Sequence, residues 1–283
     1  MLSEWKYYNR ALIPTVPPHI EVQLPKKNFW KTLNKVGGGK KALFARWTSD
    51  FDCGYETNWW YVIKDDKFDI SSLKAKRRYE INKGKKNFEV KEIKAENYPN
   101  EIYNITKIAY QQYPESYRPI LDEEKFKTSL KGWKNFKVYG AFHRETGELC
   151  GYTWLKVYDS YIDFCVLKVI PSYEKLGINA SIVEKIVADF NDKLCKDFYI
   201  CDGARSTLHE TAFQNYLEKY FGFRKAYCRL HMKYRLPIAI IVQIIYPFRN
   251  KITNAGKIFS KIKTVLFFEE IAKQNKEGKN LCK

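Results

Sequence analysis

The sequence contains neither a GxGxxG run nor a lysine-bearing P-loop, so neither dinucleotide nor nucleoside triphosphate binding is indicated. It has no CxxC pair, and its seven cysteines are odd in number, which argues against both a disulfide framework and a zinc site. No metal is expected, and a reducing cytoplasm fits best. The opening MLSEWKYYNR lacks an apolar core, so no signal peptide is expected. The longest apolar run, Leu236 to Phe248, is interrupted by Gln243 and Pro247 and is too short to span a bilayer. Acidic residues are scarce: 32 stand against 50 basic ones, a net charge of +18. The natural partners are therefore anionic, whether nucleic acid, phosphorylated small molecules or acidic lipid. The excess is uneven, since Arg224 to Lys283 holds 14 basic and three acidic residues.

At 283 residues and 45% apolar content the chain can bury one large core or two small ones. The stretch around which it is organised runs from Tyr161 to Phe190. Tyr161 to Ile170 is rich in aromatic and β-branched residues and stops at Pro171, the pattern of a buried strand. Ile178, Ile182, Val183, Ile186, Val187 and Phe190 then recur at intervals of three and four, which predicts a helix buried along one face. The short loop between them, Ser172 to Gly177, aims backbone N–H groups at the positive end of a helix dipole. That suits a phosphate, and it also describes an ordinary strand-to-helix turn.

Residues 1 to about 40 read as an irregular opening punctuated by prolines and by Gly37-Gly38-Gly39, a solvated turn. Lys41 to Phe51 and Trp59 to Lys64 read as two paired strands, with Trp47, Trp59, Trp60 and Tyr61 as core of a small domain. In SSLKAKRRYEINKG a helix is expected with Ser71 or Ser72 as N-cap, Gly84 as C-cap and Leu73, Tyr79 and Ile81 facing inward. Its other face, Lys74 to Lys86, is densely basic: a solvated surface or an anion-binding one. Phe88 to Ile93 is a strand; Asn97 to Tyr113 and Asp122 to Trp133 are helices. Lys137 to Arg144 and Leu149 to Val157 form a hairpin feeding the central strand. Asp197 to Cys201, Thr211 to Tyr220 and Ala226 to Tyr234 complete a βββαβαβ order, which predicts an α/β (α+β) mixed sheet covered by helices.

From Asn97 to Arg235 these segments resemble the GNAT acyltransferase superfamily. The carriers are the hairpin AFHRETGELCGYTWLKV, the loop SYEKLGIN in place of Q/R-x-x-G-x-G/A, and the closing YLEKYFGFRKAYCRLHMKY with its Gly-Phe pair. Gly177 falls on the motif's first glycine; Asn179 replaces the second small residue and Glu174 the usual glutamine or arginine. SSLKAKRRYEINKGKKNFEVKEI is similar to the connecting segment of Fem-type aminoacyl transferases, which carry two GNAT-like modules. The expected organisation is a β-rich extension over 1–95, at most a remnant of a first module, a GNAT-like domain over 96–235, and a basic amphipathic tail over 236–283.

The resemblance implies transfer of an acyl group, of the acetyl kind, from acyl-CoA to an amine, with the backbone of Val166, Leu167, Lys168 and Val169 polarising the thioester. Lys175, Leu176, Gly177, Ile178 and Asn179 would hold the CoA pyrophosphate. The candidates for the base are Asp163, Asp202, His209 and Glu210; each is also a common turn or cap residue. Tyr216 and Tyr220 are the candidates to protonate the departing thiolate. Cys165 and Cys201 lack an activating context and read as structural. The resemblance implies an amino sugar or envelope-precursor acceptor, as in envelope polysaccharide synthesis. Two rivals remain: an aminoacyl-tRNA donor gripped by the basic helix, and a non-enzymatic membrane- or nucleic-acid-binding module. In the tail, Ile241, Ile244, Ile245 and Phe248, then Ile252, Phe259, Ile262 and Leu266, form an apolar stripe among lysines. Such a helix either lies on an anionic membrane, at its inner face, or packs on the domain.

Overall fold

In the computed structural model, Tyr161–Val169 is a strand (β8) and Ile178–Phe190 a helix (α5), as the periodicity predicts. Ile178, Ile182, Val183, Ile186, Val187 and Phe190 are all buried. Residues 3–36, 38–39, 41–113, 115, 118–206, 212–252 and 256–277 are described. They divide into two compact units, one of residues 1–62, 204–212 and 225–283, the other of residues 63–203 and 213–224.

The second unit is built on β5 (Phe88–Glu92), β6 (Lys137–His143), β7 (Leu149–Val157), β8 and β9 (Tyr199–Ala204), in the order β9-β8-β7-β6-β5. Neighbours from β5 to β8 are antiparallel, whereas β8 and β9 are parallel. Parallel pairing requires a crossover, and α5 supplies it. Helices α3 (Pro99–Gln111) and α4 (Glu123–Ser129) lie between β5 and β6 in the chain. Pro99 takes the first turn of α3, where no backbone donor is needed, and Asp122 caps α4 by accepting from the Lys125 N–H at 3.0 Å. Ile102, Ile105, Leu130, Val138 and Tyr152 form the core between these helices and the sheet. Thr106 Oγ1, buried in α3, is 2.7 Å from the Tyr152 hydroxyl. The α/β mixed sheet with helical cover, expected from the βββαβαβ order, is thus the observed architecture.

The basic helix departs from its sequence pattern. Ile70–Ser72 is a separate 3-10 turn capped by Asp69, and the helix proper, α2, runs Ala75–Asn87. Gly84 is therefore not its C-cap but a buried interior residue, and Tyr79 is 65% exposed while Ile81 is fully buried. Glycine continues the helix here because a neighbouring backbone lies against it. Since α2 packs on α5 and β5 pairs with β6, residues 63–95 fold with the second unit. Residues 63–95 thus group with the second unit, and the residues after 235 share a unit with the first 62.

The first unit holds β1 (Trp5–Tyr8), β2 (Ala11–Pro14), α1 (Phe29–Val36), β3 (Phe44–Ser49), the start of β4 (Trp59–Lys64) and most of β10 (Arg224–Tyr234). The irregular opening expected over the first 40 residues is in fact a hairpin and a helix; strands of four residues are too short to show a clear alternation. β3 and β4 are not partners but flank β10, which pairs antiparallel with β3 from Ser49↔Arg229 to Phe44↔Tyr234. Gly38 and Gly39 are exposed with open space around them; Gly37 lies outside the described residues. Trp59 is core and Tyr61 packs against it, Trp47 packs on a second cluster around Trp5 and Leu12, and Trp60 lies beneath Arg205 and Lys225. The tail forms α7 (Leu236–Ile245) and α8 (Gly256–Glu277). Phe268 and Ile271 of α8 pack with Trp59, Cys228 and Leu230. Among the described residues no helix is long and apolar enough to cross a membrane.

Candidate active site

The β8–β9 ladder is short. It runs Tyr161↔Tyr199, Ile162↔Ile200 and Asp163↔Cys201, then stops, while β8 continues through Val169. Among the described residues no strand pairs with Phe164–Val169 on that side. On the other side β8 pairs with β7, and the register shifts where Trp154↔Val166 gives way to Leu155↔Phe164, leaving Cys165 as the bulged residue. A bulge re-aims the strand and sharpens its twist. Val166 to Val169 therefore present one edge without a ladder partner, and alternate backbone N–H groups of that edge are free to meet a ligand. Lys168 is engaged elsewhere: its Nζ donates to the Tyr113 hydroxyl at 2.6 Å and lies over the rings of Tyr110 and Tyr113.

A 3-10 turn, Pro171–Leu176, leads from β8 to α5. Gly177 caps it with φ +85°, a left-handed conformation that only glycine adopts freely. Its carbonyl accepts from the Ser181 N–H at 3.0 Å, so the amides of Ile178, Asn179 and Ala180 occupy the first turn, where a helix offers no internal acceptor. The Asn179 Oδ1 is buried without a hydrogen-bond partner among the described residues. Glu174 and Lys175 are both exposed. From the other direction α2 presses on this cap. A Cβ on Gly177 would stand 2.9 Å from the Gly84 nitrogen, and the Asn87 side chain donates to the Leu176 carbonyl at 3.1 Å. The sequence pattern marks Gly84 only as a helix end and gives no signal at Asn87.

Two of the candidate bases come together. Asp163 ends the β8–β9 ladder and Asp202 follows its last partner, Cys201. Burial pushes the Asp202 carboxyl up to about 7, the nearby charge of Asp163 adds to this, and a hydrogen bond from Gln214 opposes it. Gln214, buried at 8% exposure, sits on α6 (Ala212–Phe221) and was not foreseen. His209 and Glu210 lie outside the described residues. Two residues beyond Gln214 is Tyr216, whose ring stacks on Tyr220 at 4.7 Å and on Phe213 at 6.2 Å; Phe213 in turn meets Phe164 of β8 at 5.7 Å. Burial raises the Tyr216 pKa, and the charge of Glu80 on α2 raises it further, so the hydroxyl stays protonated. Arg77 lies over the Tyr220 ring at 6.0 Å. Burial, then the charge of Asp163, pushes the Cys165 thiol up to about 12, and burial raises Cys201 as well, so neither offers a thiolate near neutral pH.

No protein-family model and no curated protein sequence matches this chain. Among solved structures, the chain is similar to L-PGS from Bacillus licheniformis, at 14% identity and a TM-score of 0.46, over 84% of this chain and 82% of that one. It is also similar to the C-terminal DUF2156 domain of a protein assigned as a lysylphosphatidylglycerol synthetase from Agrobacterium fabrum, at 10% identity, TM-score 0.49 and 86% of each chain. An acetyltransferase from Thermus thermophilus overlaps 53% of this chain and 97% of its own at 10% identity and a TM-score of 0.39.

Proposed function

We propose that the protein is an N-acyltransferase that moves an acyl group from a thioester to an amine along the free edge of β8. The observation that carries this is the β8–β9 ladder ending at Asp163, which leaves Val166 to Val169 open beside a carboxyl poised near neutrality. In the reaction, the ionised Asp202 takes a proton from the acceptor amine, directly or through water, and the freed lone pair attacks the acyl carbonyl. The free β8 amides stabilise the oxyanion as it forms. Collapse breaks the C–S bond as the Tyr216 hydroxyl donates to the departing thiolate; the new amide nitrogen gives its remaining extra proton to water, and water returns a proton to the tyrosinate.

Acyl-CoA is the first reading of the donor. Its pyrophosphate would meet the first-turn amides of Ile178 to Ala180 and Lys175. The contact of Gly84 with Gly177 favours a second donor, because α2 occupies one flank of that cap and carries a basic face; an aminoacyl ester of tRNA needs no pyrophosphate cradle and would use that face. The acceptor class implied by the sequence resemblance is an amine on an envelope precursor. An acceptor borne on the inner face of a membrane fits α7, where Leu236, Ile240, Ile241 and Ile244 are 48–77% exposed between Arg235 and Arg249.

The test is to incubate the protein with acetyl-CoA and a panel of amines, following thiol release, with calorimetric titration of acetyl-CoA and of bulk tRNA at two salt concentrations. Amine-dependent thiol release that Asp202→Asn abolishes is the expected result. Salt-sensitive tRNA binding without CoA binding replaces the donor, and silence from both overturns the enzymatic reading.

A further inference from the structure

The first unit contains a cavity of about 120 Å³ whose lining includes none of the groups used in the proposed transfer. Most of its wall is apolar and stiff, with Pro14, Pro17, Pro18, Trp47, Trp59 and Leu230 in it. One charged residue enters this wall: Arg46 of β3. Its guanidinium lies 4.6 Å from the centre of the Phe268 ring and 5.9 Å from that of Trp59, and burial lowers its pKa. Among the described residues no carboxylate and no hydrogen-bond acceptor pairs with it; its neighbours are rings and the tyrosines Tyr61 and Tyr8.

A second wall residue has the same shortage. Trp59 is 2% exposed, and its indole N–H is buried without an acceptor among the described residues. Thr48 adds a hydroxyl to the lining. The polar groups carried by the lining residues are thus the Arg46 guanidinium, the unanswered Trp59 N–H, the Trp47 N–H and the hydroxyls of Thr48 and Tyr61. A half-buried cation without a counter-charge and an unanswered buried N–H both carry a cost, and cation–π contact with Phe268 and Trp59 offsets only part of it. A bound anion would answer both donors.

We propose that this cavity binds a small organic carboxylate, its anionic end received by the Arg46 guanidinium and its apolar body held among Trp47, Trp59, Pro17 and Pro18. A carboxylate is favoured over a phosphate on three counts. A single cation balances one negative charge, the planar fork of arginine matches a carboxylate in two hydrogen bonds, and the walls offer an apolar body a place that inorganic phosphate would leave empty. The volume suits a body of about benzene size, which a dry apolar cavity of about 150 Å³ accommodates.

The experiment uses the full chain and four probes: acetate, benzoate, its neutral isostere benzamide, and inorganic phosphate. Binding is followed by calorimetry and by tryptophan fluorescence, since Trp47 and Trp59 line the cavity. The expected result is saturable one-to-one benzoate binding, with benzamide and phosphate weaker by about tenfold or more, the loss that follows removal of one charge-assisted pair. Arg46→Gln should lose benzoate binding, and benzoate should raise the melting temperature of the wild type but not of the variant. Saturation by neither carboxylate, equal binding of benzoate and benzamide, phosphate binding tighter than benzoate, or full benzoate binding by Arg46→Gln would each overturn the proposal. The benzoate–benzamide comparison is made on the wild-type protein, so it decides the matter even if the variant does not fold.

Discussion

Gly84, inside α2, and Gly177, at the cap of α5, touch backbone to backbone. A Cβ at Gly84 would overlap the Gly177 carbonyl oxygen and lie 3.1 Å from the Ser181 nitrogen. Two segments far apart in sequence thus depend on each other's lack of a side chain, and that contact fixes the strand-to-helix turn after β8.

Gly84→Ala should therefore destabilise the protein although alanine is the better helix former. The overlap costs about 1–3 kcal/mol, against a propensity gain of about 1 kcal/mol. Gly132→Ala, with nothing within 4 Å of its Cβ position, should change stability by no more than about 0.5 kcal/mol. Urea denaturation of the two variants and the wild type checks this; equal midpoints for all three would remove the contact from consideration.

The Asp202 carboxyl, held near 7 by burial, gives paired pH effects. As a base it must be ionised, so the acyl-transfer rate should rise as pH increases through about 7. For stability the sign is opposite. The folded carboxyl binds its proton more tightly than the unfolded one, so its contribution is complete below the ordinary carboxylate range and is lost as pH rises through about 7. Asp202→Asn should flatten that limb, raise stability at pH 8 by roughly 1–3 kcal/mol and lower the rate by roughly 10²–10⁴-fold. A variant both less stable at pH 8 and fully active would contradict the assignment.

Tyr216 and Tyr220 stack on one another, yet Tyr216 is the one beside Glu80 and nearer Gln214 in the chain. Tyr216→Phe should reduce kcat about 10–100-fold with little change in KM, the signature of an interaction made only in the transition state. Tyr220→Phe should stay within about twofold of wild type, since it keeps the ring that packs on Tyr216. Steady-state kinetics on both variants tests the assignment, and reversed effects would move the role to Tyr220.

In the tail, Phe268 is 6% exposed against Trp59, whereas Phe259 is 51% exposed. Phe268→Ala should cost about 3–5 kcal/mol, Phe259→Ala less than about 1 kcal/mol. Similar thermal melts for the two would mean that α8 does not depend on this packing.

The exposed apolar face of α7 predicts binding to vesicles containing anionic lipid. Replacing Ile240, Ile241 and Ile244 together by serine should abolish co-sedimentation, and added salt should weaken it. Equal binding to neutral and anionic vesicles would exclude the electrostatic part.

Local pattern determined the elements of the second unit. The 3.6-residue recurrence from Ile178 to Phe190, the β-branched run of β8, the hairpin at Glu145 to Glu148 and Pro171 at the strand end are all read from neighbours in the chain. Side-chain period and turn chemistry are local properties. They also indicated the mixed sheet, because hairpins followed by a crossover leave few arrangements. Long-range pairing was decided only in three dimensions. Nothing near Trp59 reveals that β10 separates it from β3, nothing at Asp202 shows the Gln214 hydrogen bond that opposes its raised pKa, and nothing at Arg46 shows that it lies half-buried against rings without a counter-charge. Gly84 reads locally as the end of a helix. Its place inside one follows from the Gly177 backbone, 93 residues further along the chain, occupying the space where a side chain would have been.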